Sequence, residues 1–290
     1  MFWITEPFAL DFVQRAALGG AFVAVLCGVV GTWVVVRGMA FLGEALAHGM
    51  LPGVALATVL GFPVVIGATL SSIVMSLGIA ALQRRGRLSY DTSIGMLFVA
   101  MLAVGVIVIS HSGSFATDAT AVLFGDILAI TPGDLVLLGV ATAVGIGVSV
   151  AAHRSLVATA LDPRVAAVLG LRPRVAQVVL VGLVTLAVVA SYQAVGSLLV
   201  VGLLLAPAVA ASQWTSRIPS TMALAAALGV LAVLAGLLLS WHARTAAGAS
   251  IALVAIVLAG LSWVARTIRD SRRSAVAART AAPASSSVVA

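Results

Sequence analysis

The sequence predicts an all-α, polytopic membrane protein built as a bundle of transmembrane helices. Of its 290 residues, 62% are hydrophobic and 9% are charged, and the mean hydropathy is +1.22. Soluble domains carry about 25% charged residues. Apolar runs of about 20 residues, the length that crosses a bilayer core, follow one another along the chain. The runs lack the two-residue alternation of a transmembrane barrel, so the spans are predicted to be helices.

Nine transmembrane helices are predicted from the apolar runs and from the breakers between them. They are expected at residues 16–36, 40–60, 63–82, 91–110, 132–152, 175–192, 195–212, 219–240 and 246–265. A further apolar piece at 120–130 is too short to span the bilayer and is expected to be re-entrant or interfacial.

The domain organisation and the orientation follow from polar segments and arginines. Residues 1–265 form one transmembrane domain, with its longest cytoplasmic loop at 153–174, and residues 266–290 are predicted to be a disordered cytoplasmic tail. With the N-terminus outside, only Arg15 and Arg244 of the arginines face outwards. This positive-inside bias predicts a multi-pass plasma-membrane protein with a cytoplasmic C-terminus. The arginines lie between apolar runs, so they indicate topology rather than nucleic-acid binding.

The most informative polar feature is an ionisable pair inside an apolar helix, Glu44 and His48. Four residues apart, they share one helix face. His48 lies about 16 Å along the helix from Arg37, near mid-membrane, where ionisable groups usually mark an ion or substrate path. Pro52 removes the donor to the His48 carbonyl and should kink the helix there. Carboxylate, imidazole and a free carbonyl suit zinc or manganese. The alternative is that the pair bonds only to itself or to a nearby helix.

The neighbouring face of the same helix predicts close helix packing. It is small at every fourth position, at Ala45, Gly49, Gly53 and Ala57. Such stripes allow transmembrane helices to approach closely.

Four stretches in order carry a family resemblance: "FLGEALAHGMLPGVALA", "YDTSIGMLF", "LFGDILAITPGDL" and "AVGSLLVVGLLLAPAVAA". Together they resemble the membrane permease subunits of bacterial ABC importers for zinc, manganese or iron, from about Gly31 to about Gly260. The resemblance implies a permease fold like that of the cobalamin (type II) importers, with fewer helices. It implies a homodimer with the path between the copies, two copies of a separate ATPase that binds ATP, and an extracellular metal-binding lipoprotein. The cargo would be Zn²⁺ or Mn²⁺.

This chain departs from the family pattern at two places. Glu44 stands where the family normally has Asp, which shifts the carboxylate by about a methylene. The family's acidic stretch before the last helix reads "ARTAAGAS" here, with Arg244 at the acidic position. Nearby His242 is expected to be a solvated loop residue, with metal binding as the alternative.

Other acidic and histidine residues are candidates of lower rank. Asp126 either attracts an incoming cation, as a third metal-site residue, or orders a turn. Asp91 is expected to cap a helix rather than to bind metal. His111 and Asp118 are expected to be solvated.

The long loop contains a predicted short helix. In "LDPRVAAVLGLRPR", Asp162 would cap it, Pro163 would occupy its first turn and Gly170 would end it. The family resemblance makes this segment the coupling helix that docks on the ATPase. Its expected contact residues are Asp162, Arg164, Val165, Val168, Leu169 and Gly170. The alternative is a plain amphipathic helix at the membrane surface.

Composition also separates the function classes. A Walker A loop requires Lys, and the sequence has none, so the chain is predicted to be a transport subunit and not an enzyme. A secondary, ion-coupled metal transporter is the alternative, but such proteins often have inverted repeats, which this sequence lacks. An intramembrane metalloprotease would need a second His on the same helix as Glu44 and His48, and the sequence has none within reach of the pair.

Overall fold

The computed structural model describes residues 6–84, 89–111 and 125–281, and the regular elements in these ranges are helical. Two are 3₁₀ turns, at Pro7–Ala9 and Ile127–Ala129. The α-helices are α1 (Asp11–Val36), α2 (Ala40–Gly49), α3 (Leu51–Leu60), α4 (Val64–Arg84), α5 (Tyr90–His111), α6 (Pro132–Ala151), α7 (His153–Leu161), α8 (Pro163–Val168), α9 (Pro173–Ser212), α10 (Ile218–Ala243) and α11 (Ala247–Ala281).

Within these ranges, nine helical stretches are long and apolar enough to cross a membrane, as predicted. The predicted helix at 40–60 is divided into α2 and α3 at Met50, two residues before Pro52. The predicted helices at 175–192 and 195–212 are joined in α9, but Gly196 breaks the helical path with φ 73° and ψ 164°. Only glycine adopts this conformation readily.

The centre of the bundle is formed by α1 and α9. Helix α1 packs against α6, α9 and α10, and α9 in turn packs against α2, α10 and α11. The backbones approach closely at Gly31, where an added Cβ would overlap the carbonyl of Leu204. This is the use of small residues expected between transmembrane helices.

The segment before α6 folds against the bundle. Residues 112–124, which include Asp118 and part of the predicted 120–130 piece, lie outside the described residues. The described part is the 3₁₀ turn, whose Ile127 is 2% exposed and whose neighbour Ile130 is 3% exposed. These two side chains sit over Gly20 and Gly19 of α1. The segment is therefore anchored by its apolar side chains.

The C-terminal segment differs from its prediction. Helix α11 continues to Ala281, where a disordered tail was expected from residue 266. Alanine and arginine are good helix formers, and extending an existing helix avoids the nucleation step. Arg266 also donates to the carbonyl of Gln213, and the guanidinium of Arg269 stacks over Trp214. Residues 282–290, like Arg85 and Arg87, lie outside the described part of the chain.

Candidate metal site

The α2 helix brings Glu44 and His48 into direct contact. The Nε2 atom of His48 and the Oε1 atom of Glu44 are 2.9 Å apart. This is the one-turn spacing expected for an i,i+4 pair. The contact also fits the alternative interpretation, in which the pair bonds only to itself, so its surroundings must distinguish the two.

The side chains of Glu44 and His48 are partly exposed, although the opposite face of α2 is buried. The side chain of Glu44 is 38% exposed and that of His48 is 20% exposed. Leu42 and Leu46, on the other side of α2, are fully buried. An ionisable pair facing acyl chains would be strongly unfavourable, so this open face must meet water or other protein.

An aromatic pair borders the open face. The ring of Phe98, from α5, stands edge-on to the imidazole of His48 with 5.7 Å between ring centroids. Phe98 also contacts Phe41 edge-on at 5.6 Å. These contacts restrict rotation of the His48 ring and leave its polar edge directed towards Glu44.

The small stripe predicted behind the pair packs against α4. A Cβ at Gly49 would overlap the sulfur of Met75, and a Cβ at Gly53 would overlap the carbonyl of Gly67. The hydroxyl of Ser71 donates to the Gly49 carbonyl at 2.8 Å. Helix α4 therefore packs against α2 and α3 on the face that carries the small residues.

The interruption at Met50 lies next to His48. Met50 keeps a bond from its N–H to the Leu46 carbonyl at 3.2 Å, and α3 starts one residue later with Pro52 in its first turn. Because proline has no N–H, the His48 carbonyl loses its ordinary helical partner. The Met50 N–H also points to the His48 carbonyl, so the helix path changes directly beside the pair.

Within the described part of one chain, the pair does not form a complete coordination shell. Among residues 6–84, 89–111 and 125–281, no group of three His, Cys, Asp or Glu side chains converges on one point. Transition metals in proteins take four or more ligands. A metal held by the described residues alone would need further ligands, such as water or groups of a second chain.

Asp126 takes part in a turn and does not join Glu44 and His48 in such a group. It is exposed, and its Oδ1 accepts a bond from the N–H of Leu128 at 3.2 Å. This geometry fits the turn-ordering interpretation.

Asp91 and His242 are likewise explained by local structure. The expected cap at Asp91 is wrong, because Ser89 precedes α5 and its Oγ accepts the N–H of Thr92 at 3.1 Å. Asp91 lies instead in the first turn, where the helix dipole stabilises a carboxylate. His242 was expected in a loop but lies in the last turn of α10, where its Nδ1 is 2.8 Å from the Leu238 carbonyl. The side chain of His111 is outside the described part of the structure.

The predicted loop helix forms as α8. The Oδ1 of Asp162 accepts the Arg164 N–H at 2.7 Å, and Gly170 ends the helix with φ 73°. The apolar residues predicted to form one face project outwards, with Val165 53%, Val168 89% and Leu169 66% exposed. Arg164, Arg172 and Arg174 are exposed around them.

Sequence reasoning missed three contributors. Phe98 lies in the stretch "YDTSIGMLF", but nothing in the sequence places it against His48. Leu161, 84% exposed, extends the apolar surface of α8. Trp33 links α1 to the loop, since its indole N–H donates to Ser149 Oγ at 2.7 Å and its ring contacts His153 edge-on.

Comparisons with known proteins agree on one family. The sequence model of the ABC 3 transport family matches residues 9–266. The chain is 34% identical to the manganese transport system membrane protein MntC of Halalkalibacterium halodurans, over 90% of each chain. It is 32% identical to a probable iron transport system membrane protein of Haemophilus influenzae, over 87% of this chain and 93% of that protein.

A solved structure has the same fold. The chain superimposes on a chain of PsaBC from Streptococcus pneumoniae, solved in complex with Fab, with a TM-score of 0.80 and 30% identity. The match covers 90% of this chain and 94% of that one. A putative metal-chelate type ABC transporter in an inward-facing conformation, 15% identical, gives a TM-score of 0.73 and supports the fold alone.

Proposed function

This chain belongs to the ABC 3 transport family, and on that premise we propose that it is the permease subunit of an importer for a divalent transition metal. It is a multi-pass transport subunit rather than an enzyme. Two copies would form the path, and ATP hydrolysis would take place on two copies of a separate ATPase. An extracellular metal-binding lipoprotein would deliver the ion.

The observation that carries the proposal is the half-open Glu44–His48 pair on a buried helix. A carboxylate that is 38% exposed at membrane depth is tolerated only beside water or protein. A second copy facing the pair would shield it from lipid and supply further ligands. Two carboxylates and two imidazoles would then surround one ion.

Manganese is the cargo that we propose, with zinc as the competing ion. Relatives such as MntC of Halalkalibacterium halodurans and ScaB of Streptococcus parasanguinis are named for manganese transport. Carboxylate and carbonyl oxygens suit Mn²⁺, whereas imidazole suits both ions. Glu44, in place of the family's Asp, extends the carboxylate by about a methylene and is expected to change the coordination geometry rather than to remove the site.

The surface formed by α7 and α8 is proposed to receive the ATPase. Leu161, Val165, Val168 and Leu169 give it an apolar centre, and arginines surround that centre. Exposed apolar clusters with a polar rim are typical of protein interfaces. Since arginine-rich loops face the cytoplasm, this surface, the C-terminus and the ATPase lie inside, and the N-terminus lies outside.

The experiment is uptake of Mn²⁺ into vesicles that contain the permease and its ATPase. Glu44→Gln and His48→Gln are expected to lower uptake at limiting Mn²⁺ by about 100-fold, because changing residues that only support a ligand already lowers affinity or activity by about 10–100-fold. Asp126→Asn and Asp91→Asn, at exposed carboxylates, are the matched controls and should retain uptake.

Two outcomes would contradict the proposal. Full uptake by both Glu44→Gln and His48→Gln would remove the site assignment. Uptake that continues without ATP but stops when ion gradients are collapsed would favour the secondary transporter instead.

A further inference from the structure

A second site lies on another side of the bundle, between α4, α6 and the first half of α9. The three helices line an open groove of about 610 Å³. Helices α4 and α6 form its walls, and the α9 face from Gln177 to Ala190 forms its floor. No residue of α2 lines it, so it is separate from the Glu44–His48 pair.

The groove is long. It extends along α4 from Val65 to Gln83, which is about 27 Å of helix. That length is close to the thickness of the bilayer hydrocarbon, about 30 Å. An acyl chain, a single file of methylenes, matches this length and the aliphatic lining.

The walls of the groove are mainly apolar. Most lining side chains are aliphatic, such as Ile73, Leu137 and Val181. The hydroxyls of Thr69 and Ser76 donate to carbonyls of their own helix, at 2.7 Å and 2.8 Å. These groups have satisfied their donors and leave the groove suited to hydrocarbon.

One end of the groove is polar and positively charged. Gln83 and Gln177 line it, and Nη1 of Arg37 donates to Oε1 of Gln177 at 3.1 Å. The Nε2 of Gln83 is buried and has no hydrogen-bond partner among the described residues. Arg174 is exposed and lies one turn before Gln177 on α9, beside the same end. Donors and positive charge therefore meet where the apolar part ends.

We propose that this groove binds an anionic phospholipid of the leaflet on the Arg37 side, the cytoplasmic leaflet in the orientation given above. The acyl chains lie along α9 between α4 and α6. The phosphate lies beside the exposed guanidinium of Arg174, at the end of the groove that Gln83 and Gln177 line. Charge complementarity distinguishes this lipid from a zwitterionic one.

The test uses the full chain in bilayers of equal parts phosphatidylglycerol and phosphatidylcholine, followed by detergent extraction and native mass spectrometry of retained lipid. Gly182 lines the groove, and a Cβ there meets nothing within 4 Å, so Gly182→Phe fills the groove without a backbone clash. Gly147 also has open space but does not line the groove, which makes Gly147→Phe the matched control.

The wild-type chain and Gly147→Phe are expected to retain phosphatidylglycerol, and Gly182→Phe is expected to lose it. Arg174→Gln, at an exposed position that should not disturb folding, is expected to lower the preference for phosphatidylglycerol about fivefold. Equal retention by Gly182→Phe and the wild type would overturn the proposal. So would equal retention of the two lipids by the wild type, or dissociation of a dimer by Gly182→Phe, which would make the groove a subunit interface.

Discussion

Replacing Phe98 by leucine tests whether the aromatic neighbour positions the proposed ligand His48. Leucine keeps an apolar side chain but removes the ring that contacts the imidazole at 5.7 Å. Edge-to-face pairs contribute about 0.5–1.5 kcal/mol beyond area burial, which corresponds to about a 2–12-fold change in affinity. We therefore expect the half-saturating Mn²⁺ concentration to rise by about that factor. The maximal rate should remain, because Phe98 itself is not a ligand.

The assay is Mn²⁺ uptake over a range of Mn²⁺ concentrations in vesicles with the ATPase present. Phe22→Leu is the matched control, because the Phe22 ring lies beside Gly139 of α6, away from His48. Its half-saturating concentration should equal that of the wild type. An unchanged value for a folded Phe98→Leu protein, or an equal shift in Phe22→Leu, would refute the positioning argument.

Three further substitutions test packing and the loop surface. Trp33→Phe removes the donor to the buried Ser149 hydroxyl and should lower the free energy of unfolding by about 1–3 kcal/mol, measured by thermal unfolding in detergent. Val168→Glu, at a position 89% exposed, should leave the unfolding temperature unchanged but abolish co-purification with the ATPase. Gly53→Val would overlap a carbonyl of α4 and should destabilise the protein by about 1–3 kcal/mol in the same unfolding assay.

Matched changes show what would contradict these expectations. Trp241 is 41% exposed, so Trp241→Phe should change the unfolding free energy by less than about 0.5 kcal/mol. Gly147→Val, in open space, should likewise be tolerated. If these controls destabilise as much as Trp33→Phe and Gly53→Val, the specific contacts do not explain the losses. If Val168→Glu retains the ATPase, α8 is not the docking surface.

The spans could be predicted from the sequence because the bilayer imposes a strong local rule. Each span must be apolar for about 20 residues and must satisfy its own backbone, so length and composition alone identify it. The break near Pro52 and the end of α8 at Gly170 were predictable for a similar reason, since proline and glycine act on their own backbone. The tail was mispredicted at residues 266–281, because the helix there depends on the preceding helix and on contacts such as that of Arg269 with Trp214.

By itself, the sequence determined the helical membrane class, the positions of the spans and the i,i+4 contact between Glu44 and His48, because each depends on residues close together in the chain. Only the tertiary structure decided which side of α2 stays open, which aromatic ring borders His48 and where α4, α6 and α9 leave a groove. These features join residues far apart in sequence, and one apolar side chain looks like another until the helices have packed. Local patterns therefore specify the elements, and packing specifies what the elements leave exposed.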